Sequence, residues 1–192
     1  HKWSEKGGSE LFMAPSGYAG EDPNHIYREA GSNGIHYRDG HIIYADSGNR
    51  TVVRMNLRTR KLHAETLSDA CIELPRIDYN RFNTDGRYGF TYGVSLHPEQ
   101  PNGFYNSIVK INVRNGKATY WHEEGCYPGE PCFIPAPESR NDADGLLMSI
   151  VLDTKQQRSF LLLLNADTLE EMARATVPEP VLYGFHGDFF TA

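Results

Sequence analysis

Long apolar runs are missing from this sequence. None approaches the roughly 20 residues that cross a bilayer. The longest, Leu161–Leu164 with Phe160 before it, reads as a short buried strand. Residues 1–10 are polar and show no signal-peptide pattern. Cysteine is scarce: Cys71, Cys126 and Cys132 are too few, and odd in number, for a disulfide framework. They read as thiols of a reducing compartment, which favours a cytoplasmic protein. Basic excess is also missing, since 19 Lys and Arg face 25 Asp and Glu, for a net charge of -6. A nucleic acid is therefore not the expected partner. With 39% hydrophobic and 23% charged residues, the chain can bury a core and is not disordered. Its 192 residues suit one domain. The first residue is His1 and not Met, so the expectation is a fragment or a processed product.

What the sequence does have is punctuation and repetition. Eighteen glycines and 11 prolines separate short apolar stretches, the pattern of an all-β chain. Val52–Arg58 (VVRMNLR) matches Ile108–Arg114 (IVKINVR) in residue type at every position. One parity is apolar (Val53, Met55, Leu57; Val109, Ile111, Val113) and the other basic or amide (Arg54, Asn56, Arg58; Lys110, Asn112, Arg114). A period of two predicts strands with one face to the core and one to water. Each leads through a turn to a lysine: Arg58-Thr59-Arg60 before Lys61, and Asn115-Gly116, a type I′ signal, before Lys117. Leu161–Asn165, a turn or short helix at 166–171, and Met172–Val177 make a third copy. Asn56, Asn112 and Asn165 are 56 and 53 residues apart. Further apolar stretches at His41–Ala45, Tyr88–Leu96 and Leu146–Leu152 precede the hairpins, and Asp39-Gly40 reads as another turn. A unit of about 50 residues with four strands is the pattern of propeller blades. Three blades cannot close a ring, so residues 1–192 are expected to be part of one larger β-propeller domain.

Three segments are poorly explained as blade filler: Cys71–Asp78 (CIELPRID), Tyr127–Pro135 (YPGEPCFIP) and Val181–Phe190 (VLYGFHGDFF). Glu73 and Glu130 are 57 residues apart, and Glu130 and His186 are 56 apart, so all three recur at the repeat length. On the inner strands of a propeller such positions converge on the axis. Two carboxylates and an imidazole there suit a metal or the groups that orient its ligands. The alternative readings stay open: glutamates capping loop amides before proline, and a core histidine bonded to a carbonyl. Tyr183, Phe185, Phe189 and Phe190 could line an apolar tunnel or pack one blade on the next. Arg76 is expected to pair with Glu73 or a neighbouring acid. His36 and His41 flank the Asp39-Gly40 turn as expected cross-strand neighbours, while His97 and His122 look like loop and strand-end residues.

The segments ELPRI (Glu73–Ile77), YGFTYG (Tyr88–Gly93), GEPCFIP (Gly129–Pro135), LMSIVLD (Leu147–Asp153) and GFHG (Gly184–Gly187) together resemble the C-terminal portion of the carotenoid cleavage oxygenase family. The resemblance covers roughly residues 50–192 and is less clear over 1–49. It implies a seven-bladed propeller with Fe(2+) on its axis, held by four histidines. His186 would be the last of these, with Glu73 and Glu130 accepting imidazole N–H groups from the other ligands. Phe185 and Phe189 are the candidates for touching substrate. The implied partners are a small apolar polyene and O2, with peripheral membrane contact through parts of the parent outside these residues. The implied reaction is oxidative cleavage of a conjugated C=C bond in a carotenoid or apocarotenoid, giving aldehydes or ketones. The other three ligands are expected upstream, since none of His25, His36, His41 or His63 lies in a ligand motif of the family. These residues alone are therefore expected to be inactive. Rival readings are a stilbene-cleaving or isomerase-type member of the family, a non-catalytic propeller module, and a calcium-dependent propeller hydrolase, whose metal would want several oxygen ligands.

Overall fold

The computed structural model describes residues 2–4, 8–10, 32–38, 40–46, 51–65, 68–82, 88–139, 141–182 and 186–190. The chain is all-β, apart from a single turn of helix, α1 (Tyr79–Phe82). Two compact units divide at Leu67 and Ser68.

The first unit, His1–Leu67, holds a short pair, β1 (Lys2–Ser4) and β2 (Gly8–Glu10), and a four-stranded antiparallel meander. Its strands are β3 (Ser32–Arg38), β4 (His41–Asp46), β5 (Thr51–Asn56) and β6 (Leu62–Glu65). The tight turn expected between β3 and β4 is present, with Gly40 at φ +73°, a conformation glycine adopts without a Cβ clash. His36 does not face His41, however. The register sets His36 opposite Ile43 and His41 opposite Arg38 and Asn56. His41 Nε2 accepts from Asn56 Nδ2 at 3.1 Å, so this histidine braces a turn.

In the second unit, Ser68–Ala192, a meander of β7 (Glu73–Arg76), β8 (Phe90–Ser95), β9 (Ser107–Asn112) and β10 (Ala118–His122) is followed by a five-stranded sheet. That sheet contains β11 (Cys126–Pro128), β12 (Cys132–Pro135), β13 (Gly145–Asp153), β14 (Arg158–Asn165) and β15 (Glu171–Val177). Both β11 and β12 pair with the same edge of β13, so together they form one inner strand broken at Gly129–Pro131. Neither Pro128 nor Pro131 can donate to a ladder, which accounts for the break. The core lies between the two sheets, where Tyr92, Ile108 and Trp121 meet Leu147, Val151, Phe160, Leu162 and Leu164.

Alternation appears on β13 from Leu147 and on β14 from Phe160, where buried residues fall on every second position. It fails on β9, which is buried on both faces from Ser107 to Ile111. Lys110 was assigned to the water face, yet it is 6% exposed. Its ammonium sits over the Phe90 ring, 4.0 Å from the centroid, and donates to Asp167 Oδ1 at 2.7 Å and the Asp167 carbonyl at 2.6 Å. A buried ammonium needs such partners, and here they tie one sheet to the turn of the next.

The repeated asparagines have a physical role the pattern did not reveal. Strands β5, β9 and β14 end on them, and Leu57–Arg58 and Val113–Arg114, expected to continue the strands, lie in turns. Each asparagine Oδ1 accepts backbone N–H groups: Arg58 and Thr59 on Asn56, Arg114 on Asn112, Asp167 and Thr168 on Asn165. Asp153 does the same for Lys155 and Gln156 between β13 and β14. Four residues after each, φ is positive: Arg60, Gly116, Gln157 and Leu169. Asn115-Gly116 is thus not a type I′ turn, because Gly116 alone takes positive φ there. The expected turn or helix at 166–171 is this same four-residue turn.

Candidate functional site

Two strand defects carry the candidate site. On β7 the register slips between Glu73, opposite Val94, and Arg76, opposite Tyr92, because Leu74 takes φ +50° before Pro75. Arg76 is thereby shifted by one residue in its pairing with β8. One sheet later the break between β11 and β12 releases Glu130. Ser95 Oγ donates to the Cys71 carbonyl at 2.7 Å, and Ser149 Oγ donates to the Gly129 carbonyl at 2.8 Å. This repeated clasp makes Cys71 and Gly129 equivalent, so Glu73 and Glu130 are offset by one residue.

Glu130 is the hub. Its side chain is only 7% exposed, so the carboxylate needs neighbours to replace water. Arg76 Nε donates to Oε1 at 2.9 Å. His186 Nδ1 lies 3.2 Å from Oε2, and the Gly187 N–H donates to the same oxygen at 3.1 Å. A second Arg76 nitrogen donates to the Gly187 carbonyl, while the guanidinium sits over the Tyr79 ring. Burial opposes the charge on Arg76. The hydrogen bond and charge of Glu130, with help from Asp188, more than offset this and hold its pKa above the ordinary arginine value. An ionised carboxylate only accepts, so the bond to Glu130 places the imidazole hydrogen on Nδ1 and the lone pair of the neutral ring on Nε2.

Of the expected residues, His186 and Glu130 are brought into direct contact. Glu73 is half-buried at the start of β7, and among the described residues its carboxylate makes no hydrogen bond or ion pair. Arg76 pairs with Glu130 and not with Glu73, because the β7 bulge turns it toward the neighbouring sheet. Phe189 is 44% exposed and Phe190 83%, while Tyr183, Gly184 and Phe185 lie outside the described residues. A hollow of about 120 Å³ lined by Phe90, Lys110, Asn112, Lys117 and Thr119 shares no residue with the site. It is below the roughly 300–1,000 Å³ of small-molecule pockets. Cys126 and Cys132 are buried as expected, and the Cys132 thiol faces Asp188 Oδ1 at 3.7 Å. His122 closes a loop, its Nδ1 2.7 Å from the Asn106 carbonyl and its ring stacked on His97.

A carboxylate-oriented imidazole is what a metal-ligating histidine ordinarily has behind it, so the residues present suit one ligand of a metal. Among the described residues no three His, Cys, Asp or Glu side chains gather as a metal-holding group. Sequence reasoning missed the Gly187 amide and the partner of Arg76. The one-residue offset between repeats, visible in the 57- and 56-residue spacings, was the available signal.

Comparison with known proteins shows the family of the chain. The model of the family described as RPE65, retinal pigment epithelial membrane protein, matches residues 6–191, reaching further upstream than the sequence motifs do. The human mitochondrial carotenoid-cleaving dioxygenase is 39% identical over 130 residues, 67% of this chain and 22% of that protein. Human beta,beta-carotene 15,15'-dioxygenase is 35% identical over 121 residues, 62% of this chain and 21% of that protein. A solved Synechocystis ACO variant superposes on 84% of this chain and 39% of its own with a TM-score of 0.69, at 19% identity. The chain spans about a fifth of the length of the curated relatives it matches. With a family model matched across nearly its whole length, the chain belongs to the RPE65 family, that of the carotenoid oxygenases.

Proposed function

We propose that these residues are the C-terminal blades, about three of seven, of a β-propeller Fe(2+) dioxygenase that cleaves a conjugated C=C bond of a carotenoid or apocarotenoid. The observation that carries the reading is the buried Glu130 carboxylate bonded to His186 Nδ1. It fixes the ring plane and the tautomer, so that Nε2 is the metal-binding nitrogen. His186 supplies one of four histidine ligands, and the other three come from parts of the protein outside these residues. Bound iron would activate O2 at its open positions toward the electron-rich polyene. Glu73 is assigned to the N–H of a histidine outside these residues, which suits a carboxylate with no partner among those described here. The Gly187 N–H shares Oε2 and keeps Glu130 from rotating away from the imidazole. Phe185 and Phe189, beside the ligand in sequence, are assigned to the apolar wall that receives the polyene. The relatives are named for carotenoid cleavage, and a polyene that partitions into lipid favours a cytoplasmic enzyme in peripheral contact with a membrane.

The test is iron retention by the full-length protein. His186→Ala is expected to lose tightly bound iron and carotenoid cleavage together, with aldehyde or ketone products disappearing. Full iron content in that variant would overturn the ligand assignment.

A further inference from the structure

We infer that Arg76 is a positioning residue for His186, acting through Glu130 and the Gly187 carbonyl. The inference rests on the reading of His186 as a metal ligand. Arg76 binds both partners of the imidazole's support: the carboxylate that receives Nδ1–H and the backbone directly after the ring. The segment from His186 to Phe190 is exposed along its described length and belongs to no strand. Its contacts with the second sheet include those of Arg76, Glu130 and Gly187 and that of the Cys132 thiol with Asp188.

The one-residue slip at Leu74–Pro75 sets Arg76 opposite Tyr92, where an unbroken ladder from Glu73 would set it opposite Thr91 with its side chain on the other face. Guanidinium chemistry suits the task. A planar fork can bond two acceptors at once in fixed directions, which an ammonium on a flexible stem does far less well. Its charge also balances a carboxylate that is 7% exposed, so Glu130 stays in place with both oxygens committed. Without Arg76, Oε1 would be left unpaired and the carboxylate could swing toward water and away from the ring.

The experiment uses the full-length protein with Arg76→Met, Arg76→Lys, Glu130→Gln and His186→Ala. Iron affinity is measured by chelator competition, and hydrogen exchange of the peptide covering 186–190 is measured in the metal-free protein. Arg76→Met is expected to weaken iron binding by about 10–100-fold, the usual effect of losing a group that orients a ligand. It should also speed exchange at Gly187. Arg76→Lys should recover only part of both, because charge without the fork cannot serve two acceptors. Undiminished iron affinity in Arg76→Met overturns the inference, as does full recovery of affinity and exchange protection in Arg76→Lys. If Arg76→Met does not fold, Arg76→Lys decides alone: wild-type values reject the inference and a partial loss supports it. His186→Ala separates the two readings. If it keeps its iron, the ligand assignment fails, whereas its loss of iron beside an unaffected Arg76→Met rejects only the role of Arg76.

Discussion

At Gly93 a hydrogen atom is all the space allows. A Cβ there would stand 2.5 Å from the carbonyl oxygen of Glu73, at the start of the strand that carries Arg76, and 2.6 Å from Cγ1 of Ile72 just before it. Gly93→Ala is therefore expected to destabilise the fold by about 1–3 kcal/mol, the range for an overpacked core. Urea denaturation would measure this, and an unchanged midpoint would mean that β7 can move aside. Cys126, 1% exposed, has its thiol pKa pushed up from about 9 to about 12, first by burial and then by the Glu123 and Asp153 charges. The folded state thus holds a proton that the unfolded chain releases. The contribution of Cys126 to stability is complete below pH 9 and falls as pH rises from 9 toward 12. At pH 8 iodoacetamide should label exposed Cys71 and leave Cys126 unmodified until the protein is unfolded, as mass spectrometry of the peptides would show.

Among the elements, the four-residue turns offer the clearest comparison because the same geometry is built four times with different residues. Gln157 takes φ +53° with a Cβ in place, where Gly116 takes φ +71° without one. A Cβ in the left-handed region costs about 1–2 kcal/mol, and glycine's extra freedom in the unfolded chain offsets part of its removal. Gln157→Gly should therefore raise stability by up to about 1 kcal/mol, while Gly116→Ala should lower it by about 1 kcal/mol. Paired thermal melts would read both, and the same sign for the two would reject this account of the turns. The turns also show how much was legible in the sequence. The asparagines at 56, 112 and 165 announced the repeat, but their carboxamide role was not visible, nor was the fourth turn, where Asp153 serves in their place. Period-two patterning found β5 and β9 because each has an apolar parity, and β14 was found as their third copy from its leucine run before Asn165. It misplaced Lys110 because patterning cannot foresee an acidic turn from the next sheet reaching a lysine. The spacing set Glu130 and His186 toward one axis, but the resemblance gave Glu130 to another ligand's N–H, and the structure pairs it with His186 itself. For Arg76 the sequence left Glu73 and a neighbouring acid both open, because the one-residue bulge that decides between them leaves only Pro75 as its trace.

Across the whole molecule, the site is a joint between distant parts of the chain: a guanidinium from one sheet, a carboxylate from the next, and an imidazole 56 residues beyond that. A bound metal would tighten such a joint, since whatever binds only the native state stabilises it, by about 2.7 kcal/mol at a hundredfold excess over Kd. Removing iron from the full-length protein with a chelator is thus expected to lower its melting temperature. The same treatment should leave a His186→Ala variant unmoved. An equal drop in both would trace the effect to another site.

The interrupted inner strand has a consequence for how such a centre can change over generations. Because β11 and β12 each keep their own registry with β13, the step at Gly129–Pro131 can lengthen, shorten or alter its residues while the scaffold on either side stays as it is. Selection is then able to re-aim the acid behind the imidazole, and with it the reactivity of the centre, without having to rebuild the frame that supports it.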